Sequence, residues 1–217
     1  MKIGYDAKRY FHNSSGLGNY SRDLVRILAE NYPKNSYLLL AKKTSERCLK
    51  FLENPSISFQ KITSGILGRQ LKMGIDAQKE NCDIFHGLSG ELPLKWNKTP
   101  IKKIVTIHDV IFLKYPKFYS FFDKKIHTWK FQNACNQADI VIAISLQTKK
   151  DIIEYFKIPE EKIKVIYQTC HTAFKEKYST IELQNIREQY QLPEKFLLNV
   201  GTIEERKNLF SVVKAIA

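Results

Sequence analysis

Short apolar runs alternate along this chain with segments in which apolar residues recur every three or four positions. The runs have the length and composition of buried strands, and they lie at Lys2–Asp6, Tyr37–Ala41, Ile57–Ile62, Asp83–His86, Ile104–His108, Ile140–Ile144, Ile163–Tyr167 and Phe196–Gly201. Helical periodicity is clearest over 21–32 and 145–156, where Ser145 precedes the helix as its N-cap. Alternating strands and helices predict an α/β fold with a doubly wound parallel sheet.

The last part of the sequence resembles the beginning of a second domain. The stretch "LLNVGTIEERKNLFSVVKAIA" contains an apolar run, a turn at Gly201 and a helical pattern from Asn208. Residues 176–195 are polar, helical and closed by Pro193, as in a connector. We predict one domain over 1–175, a connector over 176–195, and over 196–217 the first strand and helix of an incomplete second domain. The apolar face of that helix would allow self-association.

Composition restricts the class of protein. With 43% hydrophobic and 26% charged residues, the chain has the balance of a soluble globular protein. Its four cysteines are widely spaced, without a CxxC pair, which predicts reduced thiols in the cytoplasm. The first residues lack the apolar core of a signal peptide, and no run reaches the length of a membrane span. We therefore expect a cytoplasmic protein.

The net charge of +13, from 35 basic and 22 acidic residues, predicts an anionic partner. A nucleic acid, a bilayer surface and a phosphorylated small molecule all satisfy this requirement. A lysine-rich surface that keeps the protein in solution is the simpler alternative. The charge alone does not decide among them.

The loop after the first predicted strand contains Ser15-Gly16-Leu17-Gly18 directly before a helix. Ligands of open α/β sheets bind at the carboxyl ends of the strands, and amides at a helix N-terminus favour phosphate. Ser21 stands where a dinucleotide-binding loop has its third glycine, and "LLLAKKTS" offers no acid for a ribose, so a nicotinamide or flavin dinucleotide is disfavoured. The alternative is a tight loop without a ligand.

Three further candidates follow predicted strands. His108, with Asp109, ends the run "KKIVTI", where an imidazole can bond a sugar hydroxyl or a phosphate. His86 lies at the end of the predicted strand, in "DIFHG". A ligand role and a structural role are equal alternatives for it. Arg206 and Lys207 lie at the start of the last helix, where the helix dipole disfavours cations. An anion bound between them would offset this cost. An exposed basic pair is the alternative there.

Residues 112–131 hold eight aromatic residues and five lysines against one aspartate. This composition suits a membrane headgroup region, single-stranded nucleic acid or a buried helix edge with lysines that reach solvent. For the membrane interpretation, the docking residues would be Lys114, Lys117, Phe121, Phe122, Lys124, Lys125 and Trp129. We find no P-loop, nucleophile elbow or metal-ligand pattern, and predict no metal or cofactor.

In chain order, the segments "SSGLGNYSRDLV", "HGLSGELPL", "IVTIHDVIFLKYPKFY", "ADIVIAISLQTKKDIIEYF", "KIKVIY" and "LNVGTIEERKNL" together resemble glycosyltransferase family 4, retaining enzymes with the two-domain, Rossmann-like GT-B fold. The resemblance implies an acceptor-side domain followed by the start of a donor-binding domain. It also implies a GDP- or UDP-linked sugar as donor, and transfer of a mannose-like hexose to a glycan or polyprenyl-linked acceptor in surface polysaccharide synthesis. The cell location would be cytoplasmic, with peripheral contact to the inner membrane face.

The resemblance assigns roles only where residues match. Gly16 and Gly18 would lie near the donor diphosphate, with Lys207 and Arg206 as its cations. His108 and Asp109 would lie beside the transferred sugar. For acceptor binding, the candidates are His86 and Tyr10.

Two features depart from the family pattern. Thr202 stands where many relatives have an arginine, and the family's pair of glutamates would lie beyond residue 217. We therefore expect the 217-residue chain alone to be inactive. A non-catalytic module that binds acceptor or a partner, from a shortened gene, is the main alternative; a nucleic-acid-binding protein is less favoured, and we predict no nucleic-acid partner.

Overall fold

A computed structural model describes residues 1–62, 68–96 and 99–216. The chain forms two compact units, Met1–Gln168 and Thr169–Ala217. This division falls a few residues before the boundary predicted from sequence at residue 175, and the assignment of the units as domains stays a prediction.

The first unit is built on a seven-stranded sheet in which every adjacent pair is parallel. The strand order is β3-β2-β1-β4-β5-β6-β7. The strands are β1 (Lys2–Asp6), β2 (Ser36–Ala41), β3 (Ile57–Lys61), β4 (Ile84–Gly87), β5 (Lys102–Ile107), β6 (Ile140–Ala143) and β7 (Ile163–Val165). The order reverses between β1 and β4, which is the point where doubly wound sheets bind ligands. The predicted fold class is confirmed.

Helices connect the strands. The α-helices are α1 (Lys8–His12), α2 (Gly16–Asn31), α3 (Met73–Lys79), α4 (Ile111–Lys114), α5 (Phe121–Gln137), α6 (Leu146–Phe156), α7 (Thr180–Gln189) and α8 (Leu209–Ile216). Shorter turns are 3₁₀-helical at Glu46–Glu53, Pro116–Phe118, Glu160–Lys162, Thr172–Lys175 and Glu205–Lys207, and π-helical at Gly68–Lys72.

Two of the helix starts show how local sequence sets the boundaries. Ser145 caps α6 as predicted, because its hydroxyl accepts a hydrogen bond from the Thr148 amide at 3.0 Å. By contrast, α2 begins at Gly16, five positions before the segment predicted from Ser21. The glycine loop is therefore the first turn of the helix rather than a loop in front of it.

Hydrophobic residues pack on both faces of the sheet. Along β2, Leu38 and Leu40 belong to one buried cluster, whereas Tyr37, Leu39 and Ala41 belong to the other. Successive side chains of a strand point to opposite faces, so this alternation places a core on each side. The cluster with Tyr37 includes residues of α1 and α2, and the cluster with Leu38 includes residues of α3, α5 and α6.

In the second unit, the strand predicted at Phe196–Gly201 is not formed, and this prediction is wrong. Residues 196–200 have no regular secondary structure, and the side chains of Leu197 and Val200 are 74% and 84% exposed. A strand needs a neighbour for its amides and carbonyls, and the described part of this unit contains no strand. Helix α8 forms where a helix was predicted, with Phe210 and Val213 exposed.

Candidate functional site

The carboxyl ends of the central strands enclose a cavity of about 170 Å³. Its walls come from the segments that follow β1, β4 and β5 and from helix α5. The lining residues are Arg9, Leu17, Ser89, Glu91, His108, Asp109, Phe112, Tyr119, His127 and Phe131. Two of the predicted site residues, His108 and Asp109, thus lie in one cavity beside the first turn of α2, to which Leu17 belongs. We call it the edge cavity.

The ring of His108 is fixed by hydrogen bonds at both nitrogens. Its Nε2 lies 3.0 Å from the backbone carbonyl oxygen of Leu88, and its Nδ1 lies 3.0 Å from the side-chain nitrogen Nε2 of Gln168. A carbonyl only accepts, so Nε2 carries the hydrogen and donates it, while Nδ1 accepts from Gln168. Burial lowers the pKa of His108 despite the favourable bond to Leu88. The ring is therefore neutral at pH 7.

This bonding limits what His108 can do. The ring of Tyr20 packs edge-on against it, with centroids 4.7 Å apart, and the His108 carbonyl accepts from the Thr148 hydroxyl at 3.0 Å. A ligand reaches Nδ1 only by displacing the Gln168 amide. His108 is thus a positioned, uncharged polar group, and a proton acceptor only after that displacement.

Asp109 lies at the mouth of the cavity and is exposed. Its Oδ1 accepts from the Ile111 amide at 3.2 Å, at the start of α4. One carboxylate oxygen therefore supports the turn that follows β5.

His86 is buried and does not line the edge cavity, so the structure does not support its direct contact with an acceptor. Its Nε2 lies 2.8 Å from the Thr106 hydroxyl, which lies 2.9 Å from the Tyr20 hydroxyl. Burial, followed by the proximity of His108, lowers the pKa of His86 to about 3. His86 is thus connected to His108 indirectly. It is hydrogen-bonded to Thr106, Thr106 is hydrogen-bonded to Tyr20, and the Tyr20 ring packs against His108.

Tyr10 is also placed differently from the prediction. Its side chain is completely buried, and its ring packs edge-on against Phe11 and Phe51 at centroid distances of 5.0 and 6.1 Å. Its hydroxyl has no hydrogen-bond partner within the described ranges. Tyr10 is a core residue because α1 lays its apolar side on β2, and it does not line the edge cavity.

The two glycines of the first loop have different surroundings. A Cβ on Gly18 would lie 1.8 Å from the carbonyl oxygen of Asn13, whereas a Cβ on Gly16 would meet nothing within 4 Å. The Asn13 side-chain oxygen accepts from the amides of Ser15 and Gly18, both at 2.9 Å. Gly18 is therefore needed for packing and its amide is occupied, while the surface at Gly16 is open to a ligand.

Sequence reasoning missed an ion network at the sheet reversal. The Arg69 guanidinium binds Asp6, at the end of β1, with Nε–Oδ2 and Nη2–Oδ2 distances of 2.8 and 2.6 Å. Its Nη1 binds Glu91 Oε2 at 2.9 Å, and Lys130 of α5 lies 3.5 Å from the same oxygen. This network joins the segments after β1 and β4. Asp6 was visible as an acid ending a strand, but nothing in the sequence pairs it with Arg69.

Arg206 and Lys207 lie in the second unit, in the turn Glu205–Lys207. Arg206 is paired with Glu204 at 2.6 Å, and Lys207 Nζ lies near the α-carbon of Gly201. Their role as diphosphate cations stays a prediction.

The aromatic residues of 112–131 that were predicted to dock on a membrane are exposed. Phe121, Phe122 and Trp129 are 65%, 75% and 55% exposed, so the buried-edge alternative does not hold for them. Lys125 lies over the Phe121 ring at 5.9 Å, and Lys114 lies 3.5 Å from an oxygen of Asp151. Helix α5 thus presents an aromatic and basic surface at its N-terminal half.

The described ranges contain neither a candidate metal-ion cluster nor a candidate membrane span. No three His, Cys, Asp or Glu residues there are grouped so that they could hold a metal ion. None of the helices there combines the length and apolarity that crossing a bilayer requires.

Comparison with known proteins identifies the family. Residues 15–174 match the model of Glycosyltransferase Family 4. The chain belongs to glycosyltransferase family 4. The family predicted from the combined loop motifs is thereby confirmed.

Relatives in sequence include serotype-specific mannosyltransferase WbdA of Escherichia coli, 28% identical over 138 residues, which cover 60% of this chain and 16% of WbdA. O-antigen chain mannosyltransferase B of Escherichia coli is 23% identical over 236 residues, which cover 99% of this chain and 59% of that protein. The family 4 chain thus spans less than two thirds of the curated relatives it matches.

Solved structures share the fold. HepE from Anabaena, in complex with UDP, superposes with a TM-score of 0.60 at 17% identity, covering 88% of this chain and 50% of HepE. A glycosyltransferase from Rickettsia africae superposes with a TM-score of 0.57 at 17% identity, covering 89% of this chain and 50% of that one. Together with the family match, these neighbours assign the sheet to the GT-B class of glycosyltransferase folds.

The different surroundings of the two loop glycines predict different costs of substitution. Gly18→Ala should lower the free energy of unfolding by about 1–3 kcal/mol, because the new methyl group overlaps the Asn13 carbonyl. Gly16→Ala should change it by less than about 1 kcal/mol. Urea unfolding followed by circular dichroism measures both, and equal losses in the two variants would contradict the assignment.

The buried, neutral His86 predicts a specific acid sensitivity. Its pKa in the fold is about 3, below the unfolded value of about 6.5. The unfolded state therefore binds one more proton between these values. The stability that His86 contributes is complete above pH 6.5 and is lost as the pH falls towards 3, at up to about 1.4 kcal/mol per pH unit.

Urea unfolding at pH 7, 6, 5 and 4 tests this expectation. His86→Gln should reduce the loss of stability with acid by up to that slope, whereas replacement of the exposed His171 by Gln is the matched control. Identical slopes for His86→Gln and the unsubstituted protein would show that His86 takes up its proton in the folded state.

Proposed function

We propose that this chain is the acceptor-side part of a retaining glycosyltransferase that moves a mannose-like hexose from a GDP- or UDP-linked sugar to a glycan or polyprenyl-linked acceptor. One observation carries the proposal: the edge cavity, at the reversal point of a family 4 sheet, holds His108 beside the first turn of α2. Two relatives are named mannosyltransferases and one of them acts in O-antigen synthesis, which supports the choice of sugar and pathway.

The residues of the cavity suit a reaction in which negative charge grows on a leaving diphosphate. The first amides of α2 have no intrahelical acceptor, and the helix dipole favours an anion there. The amide of Gly18 already donates to Asn13, so the proposed diphosphate contact is with the amides of Gly16 and Leu17. Fixed donors of this kind stabilise developing charge without reorganising. The resemblance to the family proposes the same role, as diphosphate cations, for Arg206 and Lys207.

Neutral His108 would orient the transferred sugar. An uncharged ring forms hydrogen bonds with the hydroxyl groups of the sugar but does not attract the charged diphosphate. The sugar and the diphosphate of the donor would therefore be bound by different parts of the site. Asp109, exposed at the cavity mouth, is available to a sugar hydroxyl through its second oxygen. Retention of configuration follows from the resemblance to the family.

Transfer of hexose tests the proposal. The protein is purified from its native source, its intact mass is compared with 25.3 kDa, and GDP- and UDP-sugars are offered with glycan and polyprenyl diphosphate acceptors. We expect transfer measured by mass spectrometry, and at least about a 100-fold loss of kcat/KM in His108→Ala, with His171→Ala unchanged. If the native protein transfers no sugar from any donor, the enzyme proposal fails and the non-catalytic module becomes the better explanation.

The same protein is proposed to touch the inner membrane face through the aromatic and basic surface of α5. Exposed Phe121, Phe122 and Trp129 would enter the headgroup region, and neighbouring lysines would add about 1 kcal/mol each near anionic lipid. A polyprenyl-linked acceptor would be reached from such a position.

Flotation with vesicles containing anionic lipid tests the membrane proposal. We expect co-flotation that falls at least about tenfold when Lys114, Lys117, Lys124 and Lys125 are replaced by Glu. A control with the same change of net charge replaces exposed lysines elsewhere, Lys34, Lys79, Lys164 and Lys175, and should float as before. Binding that survives the first variant, or falls equally in both, removes the proposal.

A further inference from the structure

A second cavity, of about 260 Å³, opens at the carboxyl ends of β1 and β2, on the other side of β1 from β4. Its apolar floor is formed by Ala41, Ile62 and Met73, which are buried. Its remaining lining residues are polar or cationic: Lys8, His12, Lys42, Lys43, Arg69 and Gln70. We call it the basic cavity, because none of the lining residues that the structure describes is an acid.

Lys8, Lys42 and Lys43 of the basic cavity form no ion pair with the carboxylates that the structure describes. Arg69 is paired with Asp6 and Glu91, but no carboxylate in the described ranges lies within salt-bridge distance of the other three cations, Lys8, Lys42 and Lys43. The charge of Arg69, then burial and the charge of Arg9, lower the pKa of Lys8, and the charges of Glu91 and Asp6 offset this only in part. Like charges held together around a concave surface are stabilised by a bound anion.

The basic cavity adjoins the edge cavity. Lys8 lines the first and Arg9, the next residue of α1, lines the second. The 2.9 Å ion pair between Arg69 and Glu91 joins them in the same way, with Arg69 on the basic side and Glu91 on the edge side. A ligand that extends past this pair could place an anionic group among the lysines and a hydroxyl near His108.

We propose that the basic cavity binds the phosphate or diphosphate group of the acceptor. Three lysines without carboxylate partners match a group with two or more negative charges better than a single carboxylate, and lysine is a common phosphate ligand. The cavity volume of about 260 Å³ is several times the roughly 30 Å³ that one water occupies in the liquid, which leaves room for a diphosphate. The assignment to the acceptor rests on the proposed function; the anion site itself rests only on the cavity and its charges.

Calorimetric titration with inorganic pyrophosphate tests the site without any turnover. The cavity variant replaces Lys42 and Lys43 by Glu, and the matched control replaces Lys34 and Lys79 by Glu. The control lysines are exposed and lie just before β2 and at the end of α3, away from the carboxyl edge. Both variants change the net charge equally, so a difference between them reports the site and not the overall field.

We expect saturable binding of one pyrophosphate by the unsubstituted protein and by the control, and at least a tenfold weaker affinity in the cavity variant. Circular dichroism verifies that both variants are folded. Absence of saturable binding, or equal weakening in the two variants, would overturn the proposal.

Two further titrants identify the source of the phosphate. Tighter binding of farnesyl diphosphate than of pyrophosphate, again dependent on Lys42 and Lys43, supports a lipid-linked diphosphate. Equal binding of the two supports a soluble phosphorylated acceptor. If GDP binds more tightly than both and loses its affinity in the cavity variant, the site belongs to the donor and the assignment to the acceptor is wrong.

The two proposals fail separately. A protein that binds pyrophosphate in the basic cavity but transfers no hexose retains the anion site and loses the enzyme function. A protein that transfers hexose but binds pyrophosphate equally in all variants retains the enzyme function and loses this site.

Discussion

The largely buried ion network of Arg69 with Asp6 and Glu91 holds together the part of the fold on which both cavities depend. The sheet reverses between β1 and β4, so the segments after these strands leave in different directions. The Arg69 guanidinium binds the carboxylate of Asp6, the last residue of β1, and that of Glu91, in the segment after β4. Removing one partner from a buried pair leaves an uncompensated charge, which costs about 3–5 kcal/mol. The three charges are stable in this environment only as a network. The network therefore fixes the distance between the end of β1 and the segment after β4.

Neutral polar groups organise the other side of the crevice. His86, Thr106 and Tyr20 form a connected series below His108, and Leu88 and Gln168 fix the ring from above. Burial lowers the pKa values of both histidines, so this half of the site carries no charge from imidazole. Cations therefore line the basic cavity, whereas the hydrogen-bond partners of the His108 ring, Leu88 and Gln168, are uncharged.

Much of the fold could be predicted because its signals are local. Apolar runs such as those of β2 and β5 and the Ser145 cap depend on neighbouring residues alone. The strand predicted at Phe196–Gly201 was wrong because an apolar run shows a tendency to be buried, whereas a strand also needs a partner that local sequence cannot supply.

The site could be predicted in part. His108 and Asp109 follow a strand directly, so their position at the edge follows from topology. Tyr10 and His86 also follow or end strands, but which way their side chains turn is set by packing against Phe11, Phe51 and Thr106. The pairing of Asp6 with Arg69 joins positions 63 residues apart. Contacts between residues so far apart in the sequence leave no periodic signal. The basic cavity could not be predicted for this reason, because Arg69 is one of its lining residues.

The burial of β2 has an evolutionary consequence. Positions 37–41 are all buried, and alternate residues pack into two different cores. These five positions can exchange one apolar side chain for another of similar volume, but none of them faces solvent, so polar residues cannot accumulate there. Substitution at such positions preserves the apolar character while it erases identity, as expected for one strand of a fold that superposes on HepE with a TM-score of 0.60 at 17% identity.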